Sequence, residues 1–127
     1  ASAAGLPGEY LALLAAQEHD ALARFELNGP MWMRPDGVSL AESMDHFLEG
    51  RWQAPLNVTA AGQYVDRLVA SGMVELLSAS DMTCQSWREP ASESQLVAGQ
   101  SSSARRAAYN TQLISCEMPL PVYCLQL

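Results

Sequence analysis

Three kinds of side chain in this sequence have the chemistry to do work: acid–imidazole groups, thiols and a few arginines. Glu18-His19-Asp20 places two carboxylates and an imidazole side by side, the residue types of a metal site or a proton relay. The segment is expected to be helical, however, and consecutive helix positions point in different directions, so the three do not converge on one ion. Asp45-His46 is a second pair, also expected on a helix and solvated, with no neighbouring nucleophile for it to activate. The three cysteines, Cys84, Cys116 and Cys124, contain no C-x-x-C spacing, and an odd number cannot pair completely within one chain. They are expected to be reduced structural thiols of a cytosolic protein. A phosphate-binding glycine loop, H-E-x-x-H, zinc-type Cys/His spacing and G-x-S-x-G are all absent from the sequence. The sequence therefore predicts no catalytic residue, no metal and no cofactor, and the chain does not read as an enzyme.

The elements that would position these groups follow from hydrophobic spacing and from the turn residues. Pro7-Gly8-Glu9 resembles a helix start, and Leu11, Leu14, Leu22 and Phe25 predict an amphipathic helix from about Glu9 to about Leu27, closed by Asn28-Gly29-Pro30. Met31-Trp32-Met33 is a short apolar run before a turn at Arg34-Pro35-Asp36-Gly37, expected in the core, with a sticky partner surface as the alternative. Ser39-Leu40-Ala41-Glu42 has the form of a capping box and predicts a helix to about Glu49, burying Leu40, Met44, Phe47 and Leu48. From Asn57 to Leu77 the spacing predicts a third helix. Thr59 (or Asn57) caps it, Ala61, Val65, Leu68 and Val69 form its apolar stripe, and Gly72 stops it in the left-handed conformation. A strand over residues 74–78 follows, then a turn at Ser80-Asp81 and a returning strand from Met82 to Arg88.

Residues 90–108 are rich in Ser, Ala, Gln and Gly and predict a flexible connection, with Arg105-Arg106 as a solvated basic pair. Residues 109–127 turn apolar again. Strands are expected over 111–117 and 122–127, separated by Pro119-Leu120-Pro121. Such a tail needs burial, either against its own domain or against another subunit. It is the best indication in the sequence of a protein partner or a homodimer.

The stretch YVDRLVASGMVEL (residues 64–76) resembles the recognition helix and first wing strand of winged helix-turn-helix proteins, notably MarR-like regulators, and SLAESM (residues 39–44) resembles their second helix. The resemblance implies an α+β fold: three main helices, a small antiparallel wing at residues 74–88, and an apolar C-terminal extension. The implied domain is residues 1–89, followed by the connection at 90–108 and the tail at 109–127. It also implies a DNA-binding transcriptional regulator with a recognition helix at residues 59–71, in which Gln63 and Arg67 touch bases while Thr59 and Arg88 touch phosphates. The sequence departs from the family between its second and third helices, where Gly50 to Leu56 replaces a short turn.

Composition favours a different partner. The chain of 127 residues carries a net charge of -7, has arginine as its only strong base, and is 49% hydrophobic. That describes one globular domain, and its acidity argues against nonspecific binding to nucleic acid or to an anionic membrane surface. The second expectation is therefore an acidic winged-helix protein-protein interaction module, an adaptor or inhibitor that does not bind DNA. With no signal-peptide pattern at the start and no long apolar window, a cytoplasmic protein without a membrane association is expected.

Overall fold

The computed structural model describes residues 4–91 and 93–127. Strands dominate: β1 (Tyr10–Ala12), β2 (Leu68–Ala70), β3 (Met73–Glu75), β4 (Ser78–Ala79), β5 (Gln95–Gln100), β6 (Gln112–Ser115) and β7 (Cys124–Gln126). The helical pieces include a five-residue α1 (Met44–Leu48), a four-residue turn at Cys84–Trp87 and a 3-10 turn at Arg106–Ala108. The strands make three small antiparallel sheets, ordered β1-β7, β2-β5-β6 and β3-β4. A parallel bridge from Ala70 to Val122 joins the first two sheets, helped by Ala15 N–H donating to the Ser71 carbonyl at 2.9 Å.

This architecture overturns the expected three-helix winged helix-turn-helix. Residues 9–27 hold no helix. Tyr10, Leu11 and Ala12 pair with Gln126, Leu125 and Cys124, and Ala16 and His19 close a tight turn by exchanging backbone hydrogen bonds of 2.9 and 3.1 Å. Asp20 then organises a further turn, its carboxylate accepting from Leu22 N–H at 2.9 Å. A run such as LALLAA fits helix and strand equally by pattern, and here a distant partner strand supplies the backbone hydrogen bonds.

The second helix shrinks to α1. Ser43 is its cap, accepting from His46 N–H at 3.2 Å, whereas Ser39 spends its hydroxyl on the Ala41 carbonyl at 2.7 Å. The recognition helix is absent. Thr59 and Gln63 close a hairpin turn, with Thr59 N–H donating to the Gln63 carbonyl at 2.8 Å and Gly62 at φ +82° completing it. The chain leaves that turn extended and enters β2, and Val65, Arg67 and Val69, spaced two apart, lie on one face of it.

Gly72 does adopt the left-handed conformation, at φ +68°, and β3 follows it where a strand was expected. A side chain at Gly72 would also lie 2.9 Å from both the Ala15 carbonyl and the Trp87 ring. β3 pairs with β4 rather than with residues 82–88, so no wing forms. In place of the returning strand, Cys84, Gln85, Ser86 and Trp87 all have positive φ, between 51° and 69°, and make one left-handed turn. Cys84 and Cys116 form a disulfide with Cα atoms 5.8 Å apart, which corrects the expectation of three reduced thiols; Cys124 is free and exposed. Residues 90–108, expected as a flexible connection, contain β5, the central strand of the largest sheet, with Leu96, Val97 and Ala98 buried. Gly99 is required there: a Cβ on it would stand 1.9 Å from the Ala108 carbonyl oxygen.

The main core gathers Leu13, Leu22, Leu40, Met73 and Leu76 around a chain of aromatic contacts. Phe25 meets Trp32 edge-on at 5.7 Å, Trp32 meets Phe47 at 5.3 Å, and Phe47 stacks on Trp52 at 5.1 Å with their planes 2° apart. Trp52 then contacts Tyr109 and Tyr123. A smaller cluster of Ala70, Cys84, Leu96 and Ala98 lies beside the disulfide. Tyr123 and Leu125 of the apolar tail are buried, so much of that tail finds cover within its own chain. Among the described residues no helix is long and apolar enough to cross a membrane.

Candidate ligand groove

Two sheet systems with one bridge between them leave an opening beside β7. A groove of about 980 Å³ runs there, walled by residues 29–35, by Leu56 and residues 58–60 with Val65, Arg67 and Val69, and by residues 121–127. Most of its side chains are apolar. Met33 is 63% exposed and Leu127 57% exposed, so the groove carries apolar surface that the fold itself does not use.

The first wall is held rigidly by a polar clamp. Arg34 forks onto Asp36 with Nη2–Oδ2 at 2.6 Å and Nε–Oδ1 at 3.0 Å, and its Nη1 donates to Asn57 Oδ1 at 3.1 Å and to the Pro55 carbonyl at 3.2 Å. Tyr64 donates its hydroxyl to Asp36 Oδ2 at 2.9 Å, and its ring centroid lies 5.8 Å from the guanidinium carbon. The hydrogen bond from Arg34 holds the Asp36 carboxyl down at about 2, against desolvation that acts the other way. The same bond raises the Arg34 pKa, and hydrogen bonding to Asp36 raises that of Tyr64. With four of its five N–H donors engaged and 9% of its side chain exposed, Arg34 is a strut of the groove.

Trp32 ties the first wall to the third, its indole N–H donating to the Gln126 carbonyl at 2.8 Å. Tyr123 lies behind β7 with its hydroxyl donating to the Ala108 carbonyl at 2.8 Å, and burial raises its pKa. Elsewhere Tyr109 donates to Glu75 at 3.0 Å and Arg106 pairs with the same carboxylate; burial, then Glu75, pushes Tyr109 up to about 12.

The four residues assigned to DNA contact come together only in part. Thr59 and Arg67 line the groove. Gln63 is exposed on the hairpin turn, and Arg88 ends the left-handed turn on a different element. With no helix over 59–71, the geometry that would carry Gln63 and Arg67 into a major groove is missing. The acid–imidazole runs stay dispersed as well: His46 meets Glu42 at 3.3 Å on the surface, while His19 lies in its tight turn. Among the described residues, no group of three or more His, Cys, Asp or Glu is placed to hold a metal ion.

Met31-Trp32-Met33, expected in the core, is divided: Trp32 packs on Phe47 while Met33 faces outward. Arg34, Asp36 and Asn57 drew notice only for the turn and a cap, because their convergence depends on chain segments far apart in sequence. Comparison with known protein families and with curated proteins finds no match for this chain.

Proposed function

We propose that this domain is a protein-interaction module whose groove receives an extended, largely apolar segment of a partner. The observation that carries the reading is the groove itself: apolar, about 980 Å³, and edged by exposed Met33, Val122 and Leu127. Its titratable lining supports binding rather than acid–base chemistry, since it includes no histidine and its best-placed ionic group, Arg34, is locked into the clamp. The disulfide favours maturation in an oxidising compartment over the cytoplasmic setting expected from the sequence.

Panning a random peptide display library against the purified domain tests the proposal. Apolar sequences are expected to be enriched, and their affinity is expected to fall about tenfold in Met33→Glu and Val122→Glu, which charge the rim at exposed positions without touching the core. A library without enrichment, or binders indifferent to both substitutions, would remove the groove from consideration.

A further inference from the structure

We propose that the partner segment binds as an added β-strand on the outer edge of β7, and that Arg67 pairs with a carboxylate on that segment; this rests on the groove being a protein-binding site. The argument starts from the alternation of the β1-β7 ladder. Leu13 N–H donates to the Tyr123 carbonyl at 2.8 Å and Leu127 N–H to the Glu9 carbonyl at 2.9 Å, so the odd-numbered residues of the C-terminal strand turn their backbone groups toward β1. Cys124 and Gln126 therefore turn theirs the other way. The partner strand confirms the phase, because the Ala12 carbonyl, opposite Cys124, points away from β7 and accepts from Arg24 Nη2 at 2.7 Å.

One carbonyl on the outer edge of each strand is capped by a side chain. On β1, Arg24 occupies the Ala12 carbonyl. On β7, the Trp32 indole takes the Gln126 carbonyl at 2.8 Å, while the N–H and C=O of Cys124 and the N–H of Gln126 have no hydrogen-bond partner among the described residues, and both residues line the groove. Those three groups match what an incoming extended backbone offers, and unpaired edge groups beside apolar pockets are the arrangement that strand addition uses.

Charge specifies the partner further. The whole chain has 14 acidic residues against 7 arginines, yet the groove lining holds one carboxylate, Glu26, against Arg34 and Arg67. Arg34 is committed to Asp36 and Asn57. Arg67 is exposed, its backbone fixed by hydrogen bonds of 2.9 Å to and from Ser101, and its guanidinium has no partner among the described residues. A firmly held backbone carrying a free cation at the groove selects an extended segment of another protein with apolar residues and a carboxylate.

The probes are synthetic peptides of about ten residues, long enough to cover the strand edge, with alternating valine and leucine and Glu or Gln at a single site scanned along the sequence. Each is also made with N-methyl groups on one or the other set of alternate amides. Binding is measured by fluorescence anisotropy to the wild-type domain, Arg67→Gln and Val122→Glu. One Glu peptide is expected to bind about fivefold more tightly than its Gln counterpart, with the advantage lost in Arg67→Gln. Methylation of the amides facing β7 is expected to weaken binding about tenfold, and of the other set hardly at all. Binding that Val122→Glu abolishes but that ignores both methylation and Arg67→Gln would overturn strand addition while leaving the groove reading intact. No peptide binding at all would overturn both. Concentration-dependent self-association in sedimentation, lost in Val122→Glu, would overturn the heterologous partner in favour of a second copy of this chain.

Discussion

Replacing Cys84 and Cys116 together by serine is expected to destabilise the domain by about 3.7 kcal/mol, the chain-entropy contribution of closing a loop with a sequence separation of 32. The structure adds a second, local consequence. Four consecutive non-glycine residues, Cys84 to Trp87, sit in the left-handed region, and at about 1–2 kcal/mol each they store about 4–8 kcal/mol. Opposing that are hydrogen bonds worth about 1 kcal/mol each: Trp87 Nε1 to the Ala15 carbonyl at 2.8 Å, Gln17 N–H to Ser86 Oγ at 3.1 Å, Ser86 N–H to Thr83 Oγ1 at 3.1 Å, Trp87 N–H to the Thr83 carbonyl at 2.8 Å, and the N–H groups of Arg88 and Glu89 to the Cys84 carbonyl at 3.0 Å. At about 6 kcal/mol together these bonds only balance the conformational cost, so without the disulfide the turn is expected to open more readily in the native state as well. Urea unfolding of the double serine variant measures the global term, and native-state hydrogen exchange over residues 83–89 measures the local one. A control isolates the conformational term: Gln85 is exposed with φ +51°, so Gln85→Gly is expected to stabilise the intact domain by about 1 kcal/mol. A double serine variant within about 1 kcal/mol of wild type with unchanged exchange, or a destabilised Gln85→Gly, would refute this reasoning.

Gly99→Ala forces a methyl group against the Ala108 carbonyl in a sheet whose central strand cannot move, so a loss of about 3 kcal/mol in urea unfolding is expected. The clamp makes the groove wall acid-sensitive. Because the folded-state pKa of Asp36 is lowered to about 2, its contribution is complete above the unfolded value of about 3.9 and is lost as pH falls through the folded one. Tyr64 ring resonances followed by NMR should therefore shift as pH falls from about 4 toward 2, and Asp36→Asn should show no such transition. For Tyr109 the sign is opposite. Its folded value of about 12 lies above the unfolded value of about 10, so its contribution is intact below pH 10 or so and is lost in strong alkali, and ultraviolet titration should show its ionisation delayed.

Local chemistry was legible where one or two residues set the backbone by themselves. Gly72 at φ +68° and Gly37 at φ +84° lie where a left-handed glycine and a Pro-Asp-Gly turn were expected, β6 and β7 fall within predicted strands, and β3 overlaps one. Acidity and the spacing of the thiols were likewise properties of the sequence alone. The choice between helix and strand was not, since Tyr10–Ala12 and residues 59–71 carry apolar spacings that suit either period. Their backbone hydrogen bonds come from segments remote in the chain, and local pattern contains no information about a distant ladder.

The pairing of Cys84 with Cys116 and the convergence of Arg34, Asp36, Asn57 and Tyr64 have the same origin. Trp32 meets Gln126 across 94 positions, and that one contact places an indole on the edge of β7 and sets one side of the groove. Turn residues act through their own φ and ψ, so the sequence by itself determined the bends at Gly37 and Gly72. Strand edges, disulfide partners and grooves exist only between segments, so the tertiary structure alone decided which surfaces face one another and which backbone groups are left open to a partner.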